Sequence, residues 1–363
     1  MEIDGAERII RLPIYPAHEY LSAIHDFGDD QLQISCLGSN GLESVGEFWH
    51  HVSHLPWSQN HPATQPGRVD RLPYTIPACL FGDDARLFKS DKMVVWQLSF
   101  FLSRAPTKLA RFIIGVLPYW MIIPGKTLHD VHRAIVWSWQ AAFDGRYPSV
   151  DHLGQQITQL HGHLRHQRVG NALCCREPRF CIAFVGFKSD LQYDKVTFGF
   201  NTYDQRLCCM HCKAVKNGPG PLYTETGPGS AWRAQPRTTE SYLQTQRDNG
   251  AVQVLTQIPG WCLALHRGDP MHLIFLGFGL HVLGSCLLDL ARRGTWGLAG
   301  TLKSKLARAW QRDSTWRFVG LRVALCVCLC FFWLAAFYVA PALGRNPKHF
   351  AFCLWACSAP RRA

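Results

Sequence analysis

The chain has 363 residues, with 38 Lys and Arg against 26 Asp and Glu, a formal charge of +12 and a pI near 9.1. That length affords a full hydrophobic core, so stability does not require disulfides, and the 15 cysteines read as reduced thiols with room for one metal site, those of the last apolar stretch (Cys326, Cys328, Cys330, Cys353, Cys357) not counted as ligands. The opening Met-Glu-Ile-Asp-Gly has no basic region followed by an apolar one, so secretion is not expected, and the scattered basic excess suits a polyanion such as nucleic acid or an anionic membrane surface.

Residues 1–70 are rich in His, Pro, Gly and Trp (His50, His51, His54, Trp57, His61, Pro62) with no sustained period, which predicts an irregular N-terminal arm. From Leu72 the pattern changes. Residues 75–80 form an apolar run ending in Phe81-Gly82-Asp83-Asp84, and residues 93–102 and 112–123 are apolar with β-branched and aromatic side chains, so three consecutive strands are predicted. Thr127-Leu-His-Asp130 has capping-box character, and Val131, Ile135, Val136, Trp139, Ala142 and Phe143 recur at helical spacing until Gly145, predicting a helix over 128–144. Residues 180–187 make a buried strand closed by Lys188-Ser189-Asp190, and 191–198 fit a short helix or a strand. The resulting order is β-β-β-α-β, an α/β core over 71–214.

Residues 215–250 are rich in Gly, Pro, Thr, Gln and Ser and read as a polar loop or linker. Residues 251–315 continue the core as helix, with Asp269 as cap and Pro270 at the first position of an apolar helix over 270–292. Residues 316–363 form a hydrophobic tail. Within it, 323–343 carries no charge over twenty-one residues, long enough to cross a bilayer, with Arg322 before and Arg345 and Lys348 after, which leaves the orientation open. A buried helix is the competing reading of that segment.

Four constellations bear on chemistry. Asp83 and Asp84 follow a strand expected at the centre of the sheet, where a rigid strand end can hold acids against a divalent metal; the plain alternative is a Gly-Asp turn. Asp190 ends a second strand and is its natural partner, or else a helix cap. Cys209 and Cys212 have the C-x-x-C spacing of a zinc half-site with Cys208 and His211 as alternates, and Cys174 with Cys175, or Cys262 with His266, as candidates to complete it. Without metal they make a thiol cluster. Asp269 and His272 fall three apart on one helix face, although simple capping is the stronger reading of them. The histidines His152, His161, His163 and His166 match no closed metal site and read as a solvated face.

Taken together, Leu80-Phe-Gly-Asp-Asp-Ala85, Trp137-Ser-Trp-Gln140, Lys188-Ser-Asp-Leu-Gln-Tyr193, Cys209-x-x-Cys-Lys-Ala214 and Asp269-x-x-His272 resemble the transposase-like proteins abundant in dinoflagellate genomes, themselves distantly similar to Kyakuja-Dileera-Zisupton and CACTA-type transposases. The resemblance spans about residues 72–292. It implies an RNase H-like mixed sheet with a Cys-rich insertion, DNA as partner, and two-metal phosphodiester cleavage or strand transfer with Mg²⁺ or Mn²⁺ at the acidic site and Zn²⁺ at the cysteines. Carried across, Asp83 or Asp84 is the first metal ligand, Asp190 the second and Asp269 the third, with Cys209 and Cys212 on zinc. The pattern lacks a helical Glu as third acid and a partner for the zinc half-site, which implies a degenerate core. A nuclear location follows from that reading. The rival is a single-pass membrane protein anchored by 323–343 with a non-catalytic soluble binding domain, and a third option is a zinc-stabilised structural protein.

Overall fold

A computed structural model describes residues 2–3, 6–7, 11–86, 91–106, 108–201, 205–225, 227–250, 252–268, 285, 288–294, 297 and 299–305. The chain divides into two units, Met1–Asp269 and Pro270–Ala363, and the elements labelled below all lie in the first. Asp269, His272 and the apolar segment 323–343 lie outside the described residues, as does most of the helix expected over 270–292. Among the described residues, no helix is long and apolar enough to cross a membrane.

The protein is α/β with one mixed sheet. Strands β1 (Thr75–Arg86), β2 (Lys92–Phe100) and β3 (Phe112–Pro118) pair antiparallel in succession; β4 (Cys181–Ser189) and the short β5 (His266–Gly268) run parallel to β1, giving the order β3-β2-β1-β4-β5. Parallel neighbours need a long crossover, and helix α3 (Thr127–Asp144) supplies part of it between β3 and β4. β4 is buried at every position except Lys188, as expected of a strand covered on both faces. Trp139 of α3 meets Phe184 edge-on at 5.4 Å between centroids, and Phe187 stacks on Tyr193 and His266.

The sequence expectation for β1 stopped at Leu80, yet the strand runs on to Arg86 because β2 pairs with it all the way, Asp83 opposite Val95 and Asp84 opposite Val94. Pairing, which an apolar run cannot reveal, sets that boundary. β3 ends sooner than 123, at Pro118, where a turn of 3₁₀-helix (Tyr119–Met121) begins. Helix α3 matches its predicted span but not its predicted cap: Lys126 is the N-cap and makes no side-chain cap bond, while the Thr127 hydroxyl accepts from the Ile123 amide at 2.9 Å. At the other end Gly145 takes the left-handed conformation, φ 70°, that closes a helix with least strain in glycine.

Residues 1–70 are not an irregular arm. Helices α1 (Ala17–Phe27) and α2 (Leu42–Val52) occupy much of that stretch and bury Leu21, Ile24, Val45 and Trp49 in the common core. The Trp49 indole donates to the Thr75 carbonyl at 2.8 Å, fastening α2 to the start of β1. Ahead of α1, the Tyr15 amide donates to the Ile114 carbonyl at 2.7 Å and the Tyr20 hydroxyl to that of Ile113 at 2.6 Å, both on the edge strand β3. Residues 215–250 likewise hold more than a linker. Helix α5 (Thr239–Asp248) buries Tyr242 and Gln246, and both side chains donate to the Phe198 carbonyl.

Candidate functional site

The acidic site forms where β4 ends at Ser189 beside β1, which runs on past it to Arg86. The parallel register sets Phe81 against Lys188, so Asp83 and Asp190 fall at the same level two residues on. Alternation along a strand sends Asp83 and Asp84 to opposite faces, and Gly82 identifies the face that matters. A Cβ at Gly82 would lie 2.7 Å from the Tyr193 ring, so Tyr193, from helix α4 (Leu191–Phe198), lies directly over the face that Gly82 shares with Asp84. Asp190 is the N-cap of α4 and its carboxylate accepts from the Tyr193 amide at 2.5 Å. Residues 191–198 are thus helical, and the capping expected of Asp190 is made.

Tyr119, just past β3, reaches Asp84. Its hydroxyl donates to Asp84 Oδ2 at 2.5 Å. Burial, then the bond to Asp84 and the negative charges of Asp84 and Asp190, push the Tyr119 phenol above its ordinary pKa. Asp84 thus acts on the hydroxyl by a direct bond and Asp190 through its charge alone. Asp83 turns elsewhere, with its Oδ1 accepting from the Asp84 amide at 2.7 Å. Tyr193 is held from behind by the Trp96 indole, which donates to its hydroxyl at 2.7 Å, and burial pushes its phenol up as well.

No family model matches the chain, and neither a curated protein nor a solved structure does. The chemistry therefore has to be read from the residues alone.

Beneath α4 lies a second polar group that the sequence reading passed over. Asp194 is 1% exposed; its Oδ1 accepts from the Ser189 hydroxyl at 2.5 Å and lies 3.5 Å from His266 Nδ1. The Trp261 indole donates to His266 Nε2 at 3.0 Å, which leaves the ring proton on Nδ1, facing the carboxylate. Burial lowers the His266 pKa despite Asp194, so the imidazole stays neutral. Although Ser, His and Asp meet here, the serine donates to the aspartate rather than to the histidine, and all three are buried. That arrangement anchors β4, α4 and β5 to one another and offers no nucleophile. It also removes His266 as a partner for the C-x-x-C cysteines.

Cys208, Cys209 and Cys212 are free thiols in the segment after α4. The His211 amide donates to Cys209 Sγ at 3.3 Å, and burial followed by the neighbouring Cys209 thiol pushes Cys212 up to about 11. Among the described residues, no third His, Cys or carboxylate joins these two within metal-binding range. Cys174 and Cys175 sit elsewhere, the latter donating to Asp26 at 3.3 Å. Of the histidine run, His161 lies 3.6 Å from Asp151.

An arginine-rich groove lined by Arg68, Arg71, Arg133 and Arg146 opens near the beginning of β1 and β4. The Thr75 hydroxyl bonds the Arg71 carbonyl at 2.8 Å, whereas Asp84 lies nine residues further along β1, roughly 30 Å at the rise of an extended chain. The groove and the acids therefore occupy opposite ends of the sheet.

Proposed function

We propose that this chain is a transposase-derived DNA-binding protein built on an RNase H-like core, in which a two-metal nuclease or strand-transfer centre has degenerated. The observation that carries the reading is that Asp84 on β1 and Asp190 just past the end of β4 both raise the Tyr119 phenol, in a sheet whose first three strands are antiparallel and whose last two run parallel to the first. The net charge of +12 supports a polyanionic partner.

The donor set fits Mg²⁺. A magnesium ion takes oxygen ligands and needs only one or two carboxylates beside water. Asp84 gives Oδ2 to Tyr119 and Asp190 gives Oδ1 to its own helix, so Asp84 Oδ1 and Asp190 Oδ2 would hold the ion. When bound, such an ion activates water or a 3′-hydroxyl and stabilises the leaving oxygen. The protein's own part is positional. Trp96 and Tyr193 fix the start of α4 against Gly82, which holds Asp190 level with the acids of β1, while Tyr119 competes with metal for Asp84.

The test is a calorimetric Mg²⁺ titration of the full chain beside Asp84→Ala, Asp190→Ala and Tyr119→Phe. Both aspartate variants should lose binding; releasing Asp84 from Tyr119 should tighten it roughly threefold to tenfold, the worth of one modest hydrogen bond. Absence of Mg²⁺ binding by folded wild type overturns the metal-site reading, and cleavage of a labelled duplex in Mg²⁺ would show a working rather than a degenerate centre.

A further inference from the structure

We propose that His25, Asp26 and Cys175 form a binding site for a zinc-class divalent metal, independent of the acidic site. The three come from two places in the chain, the last turn of α1 and the loop that leads into β4. Cys175 Sγ lies 3.3 Å from Asp26 Oδ1, His25 Nδ1 lies 3.7 Å from the same oxygen, and all three atoms fall within 4.8 Å of one another. Ligand atoms at the corners of a zinc tetrahedron sit about 3.3–3.6 Å apart, given the usual Zn–S, Zn–N and Zn–O lengths. The site therefore needs very little movement to close on a metal.

The buried histidine points to a ligand. The His25 side chain is 3% exposed and its Nδ1 has no hydrogen-bond partner, although it faces the carboxylate and the thiol. Buried ring nitrogens are nearly always satisfied, and a metal between the three groups would satisfy this one. Asp26 is half exposed and Cys175 is exposed, so an ion can enter from solvent and would keep at least one open position.

Charge and chemistry select the metal. A thiolate and a carboxylate together balance a divalent cation, and the mixed sulfur, nitrogen and oxygen set favours zinc or cobalt over magnesium or calcium. Arg176, next to Cys175 in the chain, is engaged elsewhere, with one nitrogen on the His25 carbonyl and another 3.7 Å from Asp29. It braces the loop that carries Cys175 without occupying Asp26.

Cobalt(II) titration of the metal-free full chain tests the proposal, because thiolate ligation gives an intense charge-transfer absorption that oxygen and nitrogen ligands do not. Wild type should take up one equivalent with that absorption and release it on adding zinc. Cys175→Ser, at an exposed position, should abolish the thiolate absorption, and Asp26→Asn should weaken binding at least tenfold, while Cys209→Ser/Cys212→Ser should leave both unchanged. Absorption that survives Cys175→Ser, or vanishes in the Cys209→Ser/Cys212→Ser protein, overturns the site, as does wild type that binds no cobalt. Magnesium binding at Asp84 and Asp190 is silent in this readout.

Discussion

Replacing Gly82 by alanine perturbs the acidic site without touching an acid. The backbone there is ordinary strand, so space alone demands glycine: the added methyl would meet Tyr193 Cζ at 2.7 Å and Cε1 and Oη at 2.8 Å. That ring cannot swing aside freely, being 4% exposed, stacked on Phe187 and bonded to the Trp96 indole. Overpacking costs about 1–3 kcal/mol and a lost hydrogen bond about 1 kcal/mol more, so Gly82→Ala should destabilise by about 2–4 kcal/mol. The fall in Tm should be roughly 3–7 °C. Urea unfolding of Gly82→Ala, Tyr193→Leu and the double variant isolates the contact, since leucine removes the atoms that collide. In the Tyr193→Leu background the alanine should cost at least about 1 kcal/mol less. An equal cost in both backgrounds, or a Gly82→Ala protein as stable as wild type, would refute the argument that Tyr193 closes over β1.

Burial lowers the pKa of His18 and His132 to about 3 and of His61 to about 4. An unfolded histidine titrates near 6.5, so the unfolded chain takes up these protons first; stability is full above that pH and is lost as pH falls toward the folded values, by about 4 kcal/mol per pH unit for the three together. Urea midpoints measured between pH 7 and 5 should drop steeply, with a shallower slope in His132→Leu, and a flat profile would contradict the burial of these rings. Trp49→Phe should cost about 1 kcal/mol through the lost bond to Thr75. Deleting residues 1–70 should abolish near-ultraviolet circular dichroism, and a truncated chain that keeps a sharp thermal transition would show that α1 and α2 are dispensable.

The three antiparallel strands and β4 were legible as sustained apolar runs, and α3 by its helical period. Helices α1 and α2 were not, since polar side chains interrupt their buried faces; His18 and His25 are buried, yet by type they count as polar. In α5 only Tyr242 and Gln246 turn inward, too few for a stripe. The acids were legible for a different reason. Carboxylates at the ends of apolar runs stand out in any sequence; Asp84 is bonded to the Tyr119 hydroxyl, and Asp190 acts on it through its charge. Tyr119 itself, and the contact of Asp194 with His266, depend on strand order and register, which bring together residues 35 and 72 positions apart in the chain. The cluster of His25, Asp26 and Cys175 was hidden likewise, because Cys175 meets a helix 149 positions upstream.

The bonds from Tyr15 and Tyr20 to β3 have a bearing on how copies of this protein behave beside one another. An uncovered edge strand is a template on which a second chain can extend the sheet. Here the carbonyls of Ile113 and Ile114, the first of them on a residue whose side chain faces solvent, are already taken by the segment just before and within α1. Loosening that segment would unmask the edge long before the core gives way. Self-association, rather than unfolding, would then be the first symptom of damage near Tyr15.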